Sequence, residues 1–329
     1  MKVNTLTFSK LKNGKVISGA EIGILGAALL LIVIFSFLSD SFLTPFNIFN
    51  LTRTQSLYVF VALAQAVMLV TGNMNLSVGA IAGLTAVIFG YLIDTLGLPL
   101  PVALLGAMAV ALLTGAFNGF VMTKLGVNSF IVTLSTLFIF TGFVYGISEG
   151  YSFREIPPLF VKIGRGNFMG LPYLFYLMIF TLIAVWYLFR YTVFGRQLLA
   201  TGSNEEAAEL SGINTHRVIM GANLLSAFFA GVGGLLWVSR LGAAQPAIGE
   251  NWLIISFAVA IIGGTALAGG RITAIGIFGG ALIMVLIKNG LILLQANVYF
   301  EQAFLGAIIL LTILLDRGRE VWSGKAGKK

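Results

Sequence analysis

Long apolar runs, separated by short polar or charged stretches, organise almost the whole chain. They fall near 20–38, 55–70, 77–93, 102–122, 130–147, 173–189, 218–238, 253–269, 272–290 and 302–315. About 20 apolar residues in a helix cross the hydrocarbon of a bilayer. The pattern therefore predicts an all-α fold, a polytopic transmembrane helix bundle of about ten spans. Several runs are short, notably the second and the last, as expected where broken helices line a cavity. The first run follows Lys2, Lys10, Lys12 and Lys15 and resembles a signal peptide. At about 19 residues it exceeds the usual signal core of about 7–15, and no small-x-small cleavage site follows, so it reads as an uncleaved first span.

Orientation follows from Lys and Arg. With the N-terminus inside, an even number of spans returns the C-terminus to the same side. The inner segments then hold the four N-terminal lysines, Lys124, Arg190, Arg196, Arg217, Arg271, Arg317, Arg319, Lys325, Lys328 and Lys329, against Arg53, Arg154, Lys162, Arg165 and Arg240 outside. That asymmetry is the positive-inside rule and predicts cytoplasmic termini in a multi-pass protein. The chain divides into a cytoplasmic segment 1–19, a transmembrane domain 20–315 and a basic cytoplasmic tail 316–329. The longest polar stretches are an outer loop, 148–172, and an inner loop, 190–217.

Composition narrows the solvent. The chain is 58% hydrophobic and 10% charged, where soluble domains carry about 25% charged residues; such a fold has too little polar surface for water. No cysteine and a single histidine, His216, exclude disulfides, thiolate metal sites and multi-histidine centres, and no cofactor is implied. The net charge of +8 sits in scattered inner loops, not on one stripe, which argues against nucleic-acid binding.

Glycine is abundant, and small-xxx-small pairs recur at Gly79/Gly83, Gly115/Gly119, Gly142/Gly146 and Gly276/Gly280. Such pairs let helix backbones approach closely in lipid. Two glycine-rich breaks, 71–79 and 263–270, fall in corresponding places of the two halves and hint at an internal repeat.

Polar groups inside spans are costly and so mark a candidate path. Gln65, Asn73, Asn75, Ser77, Asn118, Asn223, Asn289 and Gln295 qualify. Amides both donate and accept, which suits a neutral polyhydroxylated ligand; interhelical hydrogen bonding is the simpler use of each. Asn73 and Asn75 stand in the first break, where freed backbone groups need partners. Intramembrane acids are nearly absent, since Asp94, Glu149, Glu250 and Glu301 all fall at outer edges, which argues against proton or cation coupling through a buried carboxylate. The chain also lacks a GxxxxGK[ST] phosphate loop and any nucleophile–base set within a span. Energy is expected to arrive from another subunit, and a secondary transporter, a facilitator or a membrane enzyme fits less well.

The inner loop reads YTVFGRQLLATGSNEEAAELSGINTHR over 191–217. Ser203 and Glu206 have capping-box spacing, Glu205 and Glu206 favour a helix N-terminus, Ala207, Ala208 and Leu210 continue the helix, and Gly212 is a natural stop. Asn214 or Thr215 can cap the next span. A helix of about two turns is not stable alone and needs a surface to lie on, either the lipid headgroups or a cytoplasmic partner.

The pattern FGR-x5-G-x-N-x2-AA-x3-GI is carried by Phe194, Gly195, Arg196, Gly202, Asn204, Ala207, Ala208, Gly212 and Ile213. It resembles the cytoplasmic loop of simple-sugar ABC importer permeases, the family of the ribose, galactose, arabinose, xylose and autoinducer-2 permeases. GNMNLSVG at Gly72–Gly79 and GGTALAGGRIT at Gly263–Thr273 resemble two further elements of that family. Asn75 stands where the family usually has Asp, keeping the hydrogen-bonding oxygen and dropping the charge. The resemblance implies a permease subunit in a bacterial inner membrane. It implies as partners a cytoplasmic ATP-binding subunit, a second permease copy or paralogue, an extracytoplasmic solute-binding protein and the lipid bilayer, with no nucleic acid. It also implies that the loop around Gly195, Arg196, Gly202, Asn204, Glu205, Glu206, Ala207, Ala208, Gly212 and Ile213 couples the path to the ATPase.

Overall fold

The computed structural model describes residues 19–295 and, beyond them, Ala303, Gly306, Ala307 and Leu310. The N-terminal lysines, most of the expected span 302–315 and the tail 316–329 lie outside the described residues. Twelve helices appear within 19–295: α1 Gly19–Leu38, α2 Pro45–Leu69, α3 Val78–Gly90, α4 Leu100–Lys124, α5 Ser129–Ser148, α6 Pro158–Arg165, α7 Tyr173–Tyr191, α8 Val193–Ser203, α9 Glu205–Leu210, α10 Thr215–Leu241, α11 Trp252–Ile262 and α12 Ala274–Leu293. A π-helical turn, Tyr91–Thr95, extends α3. The only paired strands among the described residues are β1 Asn167–Phe168 and β2 Leu171–Pro172, a two-residue hairpin in the long loop after α5.

Among the described residues, seven helices are long and apolar enough to cross a membrane: α1, α3 with its π-turn, α4, α5, α7, α10 and α12. Two expected spans come out differently. α2 starts about ten residues before its apolar run, because Pro45 occupies a first-turn position and Thr44 Oγ1 accepts from Asn47 N at 3.3 Å. Its first turns are consequently polar, with Asn47, Asn50 and Arg53. The run at 253–269 yields only the eleven residues of α11, roughly 16 Å of helix, because Gly263 and Gly264 end it.

The centre of the bundle is α2. From Gln55 to Leu69 every residue is buried, as expected of a helix apolar on all sides. α10 packs on α2, α3 and α4, α11 on α2 and α12, α3 on α4 and α5, and α1 lies outside against α12. Glycines allow these approaches at three of the four expected pairs. A Cβ at Gly79 or Gly83 would press into the backbone of Gly249 or Ile248; at Gly115 it would meet Asn223 O and Ala227, and at Gly119 Met220. At Gly276 and Gly280 it would strike Gly263 and Val259. Gly142 and Gly146 have nothing within 4 Å of such a Cβ, so among the described residues this pair packs against no helix.

The helix ends sort into two groups. One gathers the break at 70–77, the segment 192–215 and the break at 263–273. The opposite end gathers the loops after α3, α5 and α10: Arg154 N donates to Asp94 Oδ2 at 2.9 Å, Phe153 pairs with Ala244 in an isolated antiparallel bridge, and Arg165 Nε donates to the Arg240 carbonyl at 2.9 Å.

Candidate functional site

Both breaks are built by the same cap. After α2, Gly72 adopts φ 77°, its N–H reaches Leu69 O at 2.9 Å and Asn73 N–H reaches Met68 O at 3.2 Å. After α11, Gly264 adopts φ 75°, its N–H reaches Ile261 O at 2.8 Å and Thr265 N–H reaches Ala260 O at 2.9 Å. A left-handed glycine followed by a six-to-one hydrogen bond is the Schellman ending, which satisfies the last carbonyls of a helix. The two breaks then join: Gly270 N–H donates to Val70 O at 2.8 Å.

Within the first break, Asn75 is the hub of a directed chain of hydrogen bonds. Its Oδ1 accepts from Ser77 N–H at 3.0 Å and Ser77 Oγ at 2.7 Å, which fixes the turn into α3. Ser77 Oγ in turn accepts from Asn118 Nδ2 of α4 at 3.1 Å. On its other side Asn75 Nδ2 donates to Ser226 Oγ of α10 at 2.9 Å, and Ser226 Oγ donates to Ala64 O of α2 at 2.6 Å. One buried amide, 1% exposed, thereby ties the break to three helices. Both faces of the amide are needed: a carboxylate at 75 would accept from Ser226, and that hydroxyl has one proton to give.

The other path candidates are dispersed. Asn73 is half-buried and turns back onto Thr71, donating to its Oγ1 at 3.1 Å. Asn223 Nδ2 donates to Ile219 O within α10 at 2.9 Å, while its Oδ1 has no protein partner. Gln65 is fully buried with neither amide atom bonded to protein. Asn289 sits near the opposite end, exchanging two hydrogen bonds with Asn47 at 2.7 and 3.0 Å. Ser226 and Asn47 escaped the sequence reading. Hydroxyls in helices usually bond their own turn, as Thr85 and Thr123 do here, so Ser226 carries no distinguishing signal; Asn47 precedes the apolar run.

The inner loop contains two helices rather than one. Thr192 caps α8, accepting from Gly195 N–H at 3.0 Å, and Arg196 Nη1 donates to Tyr191 O at 3.1 Å. The expected cap at Ser203 does not form. Ser203 is the last residue of α8 and its hydroxyl donates to Leu199 O at 2.7 Å; a serine inside a helical turn loses its oxygen to the preceding turn. Asn204, in extended backbone, caps α9 instead, its Oδ1 accepting from Ala207 N–H at 2.8 Å. Glu205 and Glu206 do occupy the first turn of α9. Gly212, at φ 82°, ends it, with Gly212 N–H on Glu209 O at 2.8 Å and Ile213 N–H on Ala208 O at 3.0 Å. Asn214 caps α10 through Arg217 N–H at 3.0 Å. Ala208 is buried, whereas Glu205, Glu206 and Ala207 are exposed and Leu210 is 85% exposed.

Three separated glycine elements meet at Gly202. A Cβ there would collide with Val70 O and stand 2.8 Å from both Val70 C and Gly270 N. One at Gly269 would run into Gly202 O and lie 2.9 Å from Gly72 N, and one at Gly270 would strike Ser203. The last turn of α8 therefore lies directly on the hydrogen bond that joins the breaks. Backbone sits on backbone at this point, with no side chain between.

The profile of the family described as branched-chain amino acid transport system/permease component matches residues 47–313. The ribose import permease protein RbsC of Bacillus subtilis (strain 168) is 34% identical over 290 residues, 88% of this chain and 90% of that protein. RbsC of Escherichia coli (strain K12) is 33% identical over 302 residues, 89% and 92% of the two chains. The galactose/methyl galactoside import permease protein MglC of the same strain is 31% identical over 318 residues, 90% and 94%. No solved structure matches the chain.

Proposed function

Because this chain belongs to the family of branched-chain amino acid transport system permease components, we propose that it forms the transmembrane path of an ATP-driven importer for a monosaccharide. The chain is a multi-pass protein of the bacterial inner membrane. Ribose and galactose permeases are its relatives over most of its length, which favours a neutral sugar as solute. Hydrolysis belongs to a separate cytoplasmic ATP-binding subunit. A second permease copy or paralogue completes the path, and an extracytoplasmic solute-binding protein delivers the sugar.

The observation that carries this reading is the junction at Gly202. In it the break end of the bundle faces the cytoplasm, and the segments expected there carry Lys124, Arg196, Arg217 and Arg271, with Lys124 and Arg217 lining one cavity. The ATPase grips α9 through Glu205, Glu206, Ala207 and Leu210, whose side chains face outward. Gly195, Arg196, Asn204, Gly212 and Ile213 hold α8 and α9 as one piece. Movement of that piece is delivered through Gly202 to both breaks. There it strains the hydrogen bonds of Asn75, Ser77 and Asn118, and the helices part so that Gln65, Asn73, Asn223 and Asn289 can meet solute. The matching caps at Gly72 and Gly264 support an internal repeat, which makes the two breaks equivalent moving parts of about ten spans.

The test is reconstitution. Liposomes holding the permease with its ATPase and binding protein should accumulate D-ribose or D-galactose only when ATP is supplied. Liposomes holding this chain alone should accumulate neither, and solute movement by the single chain would overturn the reading.

A further inference from the structure

α10 spans 27 residues, roughly 40 Å, and at the end away from α9 it borders a cavity remote from the Gly202 junction, with Asn289 in its lining. About 380 Å³ opens between α2, α10 and α12, within the range of small-ligand sites, which begins near 300 Å³. Its wall is aromatic. Tyr58, 3% exposed, lies parallel to Trp237 with ring centroids 6.2 Å apart and planes 8° apart. Trp252 meets Trp237 edge-on at 5.5 Å. These contacts fix a half-buried indole at the edge of the cavity. The Arg240 guanidinium lies over the indole at 5.7 Å.

The polar lining is amide, hydroxyl and cation: Asn50, Thr54, Arg240, Lys288 and Asn289. The pair of hydrogen bonds with Asn47 sets the orientation of the Asn289 amide, leaving it one further N–H and one further lone pair. Thr54 donates to Asn50 O at 2.9 Å and keeps its oxygen as an acceptor. Among the described residues, no aspartate or glutamate lines the cavity.

We propose that this cavity is a binding station for a neutral monosaccharide in ring form. The C–H face of the ring lies against Trp237, and its hydroxyls meet Asn289 and Arg240. The chemistry is matched: a pyranose or furanose has one apolar face and a rim of groups that donate and accept, and the cavity offers an aromatic wall beside fixed donors and acceptors. The proposal rests on the importer reading for its solute class, and it gives the permease a selectivity of its own at the face where solute arrives.

Saturation-transfer NMR on the full chain in lipid nanodiscs tests it, with D-ribose and D-galactose as probes and D-ribonate as the charged comparator. At least one neutral sugar should give a saturable signal. That signal should weaken roughly ten-fold in Trp237→Leu and in Arg240→Gln and survive in Trp237→Phe, which keeps an aromatic wall. No saturable binding of either sugar, binding unchanged in both weakened variants, or a preference for D-ribonate would overturn the station. Uptake by the complete importer is scored separately: normal wild-type uptake without sugar binding by the permease defeats the station and spares the importer reading, and sugar binding without ATP-dependent uptake does the reverse.

Discussion

Gly202→Ala is the smallest change that tests transmission through α8. The added methyl would enter the space of Val70 O, whose hydrogen bond from Gly270 N–H is 2.8 Å long. Overpacking of this kind costs about 1–3 kcal/mol, and losing the buried hydrogen bond adds about 1 kcal/mol. Alanine recovers at most about 1 kcal/mol of helix propensity, and less so near the end of α8. The net is a loss of about 1–3 kcal/mol, relieved only if α8 lifts off the breaks. Two measurements follow: thermal unfolding of the purified permease, and the number of solute molecules taken up per ATP hydrolysed in the reconstituted importer. Both should fall, with ATP hydrolysis continuing. Gly142→Ala and Gly146→Ala are the controls, since open space surrounds both; they should leave the bundle's unfolding unchanged or raise it. If Gly202→Ala kept wild-type unfolding and wild-type coupling, the backbone-on-backbone junction would be refuted.

Leu210→Asp should weaken copurification of the ATPase by about ten-fold or more, the loss of burying one leucine side chain being about 1.5–3 kcal/mol. Thermal unfolding of the permease alone should not change, because Leu210 is 85% exposed. Asn75→Leu removes the acceptor for two Ser77 donors and the donor to Ser226, and each orphaned buried group costs about 1–3 kcal/mol; membrane yield should therefore fall along with uptake, and a full yield would show the network to be dispensable. Asn47→Leu and Asn289→Leu should be strongly non-additive in unfolding free energy, with a coupling of about 0.5–3 kcal/mol; additive effects would dissolve the pair.

A membrane bundle was legible from the runs of apolar residues, because a bilayer demands length and apolarity that no other setting does. The inner loop was legible as a helix at 205–210, because caps and stops are local: Glu205 and Glu206 at the start and Gly212 at the end stand where expected. Local rules also explain the errors. Ser203 and Asn204 are both good caps, and the choice between them depended on α8, which carries little periodic signal. The apolar run after Trp252 gave no sign of ending at Ile262 beyond its glycines.

Every one of the three glycine elements was visible along the chain, and so were the amides inside the apolar runs, though not Asn47. What the chain alone fixed was therefore the inventory of broken helices, a capped loop and buried amides; the expected absence of buried carboxylates fails at Glu21 of α1, which is 6% exposed. Only the folded bundle decided that Gly202, Val70 and Gly270 share one point, that Asn75 bonds to Ser226, and that Asn289 belongs to the far end with Asn47. The reason is separation. Periodicity and capping act over a few residues, whereas these contacts join positions 68 to 242 residues apart, from Gly202–Gly270 to Asn47–Asn289, and only the packing of helices around α2 sets those distances.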